Sequence, residues 1–122
     1  MTLRYFKLAD FACPCCGKNN MDPDFLRQLD AARDWAGVPF RITSACRCAE
    51  HNAAVGGEPK SRHMAGQAVD IAWTDAGMLG RILASLIRVG IVSWAIDADR
   101  HFIHCDTWNQ CWGGIYPRRK KK

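Results

Sequence analysis

Between Asp22 and Gly37 the apolar residues Phe25, Leu26, Leu29, Ala32 and Trp35 recur at three- and four-residue intervals, the spacing that lines one face of an α-helix. Asp22 supplies an N-cap, Pro23 a first-turn proline and Gly37 a stop. A second stripe, Met78, Leu79, Ile82, Leu83, Leu86 and Ile87, follows Thr74 or Asp75 as the cap and ends at Gly90. Both stripes read as core. Elsewhere the pattern shortens to runs that suit strands: residues 38–44 with Pro39 near the start, Val69-Asp70-Ile71-Ala72-Trp73, residues 91–96, and Phe102-Ile103-His104-Cys105-Asp106. The last two flank the polar turn Asp97-Ala98-Asp99-Arg100, which predicts a hairpin. Residues 49–55 suit a short helix closed by Gly56-Gly57. Aromatic residues open the chain at Tyr5, Phe6 and Phe11 and close it at Trp108, Trp112 and Tyr116.

One position breaks the pattern. Asp70 lies inside an apolar run, and a buried carboxylate is costly unless it is hydrogen-bonded, paired with a cation or bound to a metal. Seven residues earlier, across a glycine-bearing turn, stands His63, in Ser61-Arg62-His63-Met64-Ala65-Gly66-Gln67-Ala68-Val69-Asp70. Imidazole and carboxylate are ordinary zinc ligands, and a catalytic zinc takes three protein ligands plus water. A third ligand must then come from His51, His101 or His104. If His104 lies on a strand next to that of Asp70, a His-Asp-His site with an open position results. Zinc there would acidify a bound water and polarise a carbonyl, which suits hydrolysis of an amide.

Composition narrows the remaining choices. The chain has 122 residues, 48% of them hydrophobic, which fits one globular domain over residues 1–117 with a basic tail at 118–122. Net charge is +5, and Arg118, Arg119, Lys120, Lys121 and Lys122 account for it, so nucleic-acid binding is not expected: no basic helix face or interleaved aromatic platform accompanies the tail. Neither a signal-peptide pattern nor an apolar run of membrane-spanning length occurs, so synthesis in the cytoplasm and no membrane insertion are expected. The seven cysteines cannot all pair with one another, and reduced thiols or a metal are favoured over a disulfide framework. Cys13 and Cys16 have C-x-x-C spacing, and Cys46 and Cys48 could complete a structural zinc site, although C-x-C is a poor second half for one.

Several of these motifs occur together in order. Ser44-Ala45-Cys46-Arg47, His51-Asn52-Ala53-Ala54-Val55-Gly56-Gly57, residues 61–70 and Phe102-Ile103-His104-Cys105-Asp106, preceded by the aromatic opening, resemble the zinc D-Ala-D-Ala carboxypeptidase family. The short phage and prophage members, whose fold is shared with the hedgehog amino-terminal signalling domain, are most similar. The resemblance implies an α+β fold with a small, mainly antiparallel sheet packed against helices. It implies zinc ligands at His63, Asp70 and His104, a substrate-binding and oxyanion-stabilising role for Arg47, and a substrate or orienting role for Ser61. Asp106, on the strand face of His104, would accept that imidazole's other N–H, or else pair with Arg47 or Arg41. Some relatives place a glutamate general base three residues before the last histidine, and others place the base about five residues before it. These positions are His101 and Asp99 in this chain, and either could carry the proton; their alternative is an exposed turn. His51 reads as a packing or capping residue.

The implied activity is cleavage of peptidoglycan stem peptides next to a D-amino acid, by a carboxypeptidase or an endopeptidase, in a monomer acting on the wall after release or as a virion component. A non-catalytic wall-binding or virion module that keeps the zinc fold without an effective base is the competing reading.

Overall fold

The computed structural model describes residues 2–57 and 61–108, together with the backbone of 112–115. Cys111, the side chain of Trp112, Tyr116 and the tail at 118–122 lie outside these residues. A 3-10 turn at Leu8–Phe11 precedes helix α1 (Pro23–Ala36), strand β1 (Arg41–Ser44), helix α2 (Ala49–Ala54), strand β2 (Ala68–Ala72), helix α3 (Ala76–Arg88) and strands β3 (Ser93–Asp97), β4 (Phe102–Asp106) and β5 (Trp112–Ile115). The sheet order is β1-β2-β4-β3-β5. All pairings are antiparallel except β3 with β5, so the sheet is mainly antiparallel, as expected. Strand β5 has no counterpart in the sequence reading, because Gly113 and Gly114 erase the apolar alternation on which strands are recognised.

The helix boundaries follow local chemistry. The Asp22 side chain accepts from the Asp24 amide, Pro23 opens α1, and Gly37 ends it in the left-handed conformation. Asp75, rather than Thr74, caps α3 by accepting from the Met78 amide. Pro39 lacks a backbone donor, and β1 begins only at Arg41. The predicted hairpin is β3–β4, with Asp97 opposite Phe102; the Asp97 carboxylate accepts from the Asp99 and Arg100 amides and holds the turn.

Phe25, Leu26 and Leu29 of α1 join Ile82 and Leu86 of α3 and Val69, Ile71, Ile96, Ile103 and Cys105 of the sheet in one buried cluster, extended by Phe6 and Phe11. Two stripe residues depart from expectation. Trp35 is 52% exposed and Ile87 50% exposed, because each lies outside its helix's buried arc; Arg88 covers the Trp35 ring at 5.7 Å. Since side chains alternate across a strand, a sheet with Val69, Ile71, Ile103 and Cys105 turned to the helices must turn Asp70, His104 and Asp106 the other way. Among the described residues, no helix is long and apolar enough to cross a membrane.

Candidate metal centre

Asp70 lies opposite His104 in the β2–β4 register, so a carboxylate and an imidazole leave adjacent strands on one face. The turn between His63 and Asp70 returns His63 to the same place. Gly66 makes this possible: its φ is +70°, and an added Cβ would fall 2.1 Å from the Asn20 carbonyl oxygen. The Ser61 hydroxyl accepts the His63 amide at 3.2 Å, which sets the backbone that presents the imidazole.

The result is a convergent donor set. His63 Nε2 is 3.2 Å and His104 Nδ1 3.0 Å from Asp70 Oδ1, and the ligand atoms of all three residues lie within 4.8 Å of one another. The opposite nitrogen of each ring is already engaged. His63 Nδ1 is 2.8 Å from the Ala45 carbonyl oxygen, and His104 Nε2 is 2.9 Å from Asp106 Oδ2. Each outer contact requires an N–H on that nitrogen, so in the neutral ring the inward nitrogen carries the lone pair. These residues fit a divalent metal with imidazole and carboxylate donors, including the outer hydrogen bonds that orient ligand histidines.

Among themselves, these groups favour their charged forms. Burial opposes charge on Asp70, but hydrogen bonds from His104 and His63 override it and hold the carboxyl down at about 2. Burial likewise opposes charge on His104, while hydrogen bonds to Asp106 and Asp70 raise it to about 9. Asp106 is also held below its ordinary value against burial, by His104 and by the Trp108 amide at 2.9 Å. Its cationic neighbour is Arg62, at 4.0 Å, rather than Arg47 or Arg41.

Arg47 points at the same place. Its Nη2 is 3.5 Å from Asp70 Oδ2, its Nε donates to the Ser44 hydroxyl at 3.0 Å, and its Nη1 donates to Asn52 Oδ1 at 3.2 Å. A register shift in β1 brings Ser44 opposite Asp70, and Gly57 leaves room for this contact, since a Cβ there would lie 2.1 Å from Asn52 Oδ1. Ser44 and Asn52 were both inside the recognised motifs, yet their role in holding Arg47 was not legible, because it depends on the fold of the intervening loop. Beside Arg47 opens a cavity of about 290 Å³, with Lys18, Asn20 and Met64 in its wall.

The remaining candidates lie elsewhere. Asp99 and His101 sit on the β3–β4 turn, outside the three-donor group. His101 has φ 57° and stacks on Trp73 at 4.3 Å between ring centroids. His51 donates its amide to Cys48 Sγ at 3.4 Å, within the N-terminal turn of α2. The expected Cys13, Cys16, Cys46 and Cys48 zinc set needs correction at Cys46. That residue is buried and its thiol donates to Asn20 Oδ1 at 2.6 Å, whereas Cys13, Cys16 and Cys48 come together without it.

With this geometry in view, comparison with known proteins is decisive for the family. The model described as Peptidase M15 matches residues 4–106. The chain belongs to the peptidase M15 family. Membership makes it a hydrolase of the metallopeptidase class, with peptidoglycan-type peptides as its substrate. No match was found among curated proteins. Among solved structures, the fold is similar to that of the Serratia marcescens L-Ala D-Glu endopeptidase ChiX, with a TM-score of 0.51 and 22% identity over 71% of this chain and 80% of that one.

Proposed function

We propose that this M15 peptidase is a zinc enzyme that hydrolyses a peptide bond next to a D-amino acid in peptidoglycan stem peptides. The observation that carries the reading is the convergence of His63 Nε2, Asp70 Oδ1 and His104 Nδ1, with the far nitrogen of each ring already hydrogen-bonded. His63, Asp70 and His104 would hold the ion, which when bound acidifies a water and polarises the scissile carbonyl. Arg47, fixed by Ser44 and Asn52, binds the substrate and places a permanent positive charge where the tetrahedral oxyanion develops. Ser61 orients His63 through its amide, and Asp106 holds the His104 ring. Asp99 or His101 takes the proton from the attacking water and returns it to the leaving amine.

Arg47 and Lys18 in the cavity wall suit a substrate bearing carboxylates, as stem peptides do. Both a D-Ala-D-Ala carboxypeptidase and an endopeptidase fit that chemistry, and the structural neighbour, an L-Ala D-Glu endopeptidase, supports the second. The protein would work as a monomer, reaching the wall after release or as part of a virion. Mass-spectrometric digestion of purified peptidoglycan is the test. Fragments with one new terminus at a D-residue are expected; intact stem peptides at every enzyme concentration would refute the reading.

One observation favours a non-catalytic wall-binding module instead. His101 occupies a position where relatives carry the base, and its ring lies against Trp73. Under that reading the chain retains peptidoglycan fragments without turnover, and Asp99→Ala and His101→Ala leave binding unchanged.

A further inference from the structure

A second set of donors lies apart from the histidine centre. The sulfur atoms of Cys13, Cys16 and Cys48 lie within 4.8 Å of one another, on two loops joined by the Cys48 amide donating to the Cys13 sulfur. We infer that these cysteines form a structural zinc site, with Cys13, Cys16 and Cys48 as its ligands, tying the N-terminal loop to the loop that carries Arg47.

The backbone around Cys13 is arranged for a thiolate. The Cys48 amide donates to its sulfur at 3.4 Å. The loop that follows Cys13 is closed by Gly17, whose φ is +74° and whose amide donates to the Cys13 carbonyl at 2.7 Å. Amides aimed at sulfur stabilise negative charge there. Cys105 is the contrast. Both thiols are buried, but among the described residues Cys105 belongs to no group of converging donors, whereas the Cys13 sulfur lies beside those of Cys16 and Cys48. Cys105 is a core residue; Cys13 has the surroundings of a ligand.

The remaining thiols complete the case. Cys48 N-caps α2, its sulfur accepting the His51 amide, and is thereby turned toward Cys13 while Cys46 faces Asn20. Cys15 and Cys16 are exposed, leaving a path for metal entry. A cluster of thiolates with no imidazole or carboxylate selects a soft-tolerant, tetrahedral ion, and zinc needs no redox partner. Cys48 follows Arg47 directly, and Cys16 and Cys48 line the cavity beside it, so the ion would brace the substrate side of the histidine centre.

The site can be isolated in the full chain carrying His63→Ala and His104→Ala, so its test is separate from that of the peptidase reading. This variant should bind one equivalent of zinc, and cobalt substituted for it should show near-ultraviolet sulfur-to-metal charge-transfer absorption. Adding Cys16→Ser and Cys48→Ser should remove both signals. If the cysteine variants fail to fold, alkylation mapping of the parent chain decides: Cys13, Cys16 and Cys48 should be protected until a chelator releases an equimolar amount of zinc. Absence of metal from the His63→Ala, His104→Ala chain, or a disulfide among these cysteines in protein purified under reducing conditions, would overturn the inference.

Discussion

The two faces of β2 and β4 are nearly equally dry and chemically opposite. Val69, Ile71, Ile103 and Cys105 are 0% exposed beneath the helices, while on the other face Asp70 and Asp106 are only 7% exposed. Burial therefore does not separate structure from function in this sheet. What separates them is how the buried atoms are satisfied. On the helix side apolar area is removed from water, which stabilises folding. On the other side carboxylates are desolvated at a cost and recover it through His63, His104 and Arg47. Substitutions on the first face should cost stability and spare the chemistry; those on the second should do the reverse.

The strongest challenge to this contrast is His63→Ala. It removes one of three donors and should abolish metal binding at the histidine centre, with hydrolysis falling to background, while circular dichroism remains native. Next comes Ile71→Ala on the opposite face of β2. Its cavity should cost about 2–5 kcal/mol, measured by denaturant unfolding, with metal content per folded chain unchanged. Arg47→Ala sharpens the comparison, because Arg47 contributes charge without being a ligand: kcat should fall about 10²- to 10³-fold at unchanged zinc stoichiometry. Asp106→Asn keeps the shape and removes the charge behind His104, and should weaken zinc affinity about 10- to 100-fold in competition with a chromophoric chelator.

The smallest effect is on pH dependence, measured in the chelated chain. His104 is raised from 6.5 to about 9, so its contribution to stability is complete below pH 6.5 and is lost as pH rises through 9. Asp70 is lowered from 3.8 to about 2, so its contribution is present above 3.8 and is lost as pH falls through 2. The unfolding midpoint attributable to these groups should be level between pH 4 and 6.5 and decline toward 9. A midpoint that climbs over that upper interval would show that His104 is not held as an imidazolium between Asp70 and Asp106.

Much of this contrast was legible before the fold. The odd acid in an apolar strand marked Asp70, and its spacing to His63 marked the turn, because a buried carboxylate and a glycine at positive φ leave local signatures. The order of the motifs brought in His104 and Arg47. What depended on non-local contacts was not legible. Ser44 at the end of β1 and Asn52 in α2 both reach Arg47 only through the fold of the chain between them. Cys46 leaves the thiol group that C-x-x-C and C-x-C spacing suggests, since spacing does not reveal which way a loop turns its sulfur. Trp35 and Ile87 fit the helical period yet lie outside the buried arc, whose width is set by the packing of α1 on α3.

The central claim is that the polar face of β2 and β4 is a zinc-dependent peptide-hydrolysing centre. Its most direct test is the rate of stem-peptide cleavage by the wild-type chain, stripped by a chelator and then titrated with zinc. The account predicts loss of cleavage on stripping and recovery that saturates as the His63–Asp70–His104 site fills, with no recovery in His63→Ala. Cleavage that persists unchanged in the stripped chain, or recovers equally in His63→Ala, would contradict it.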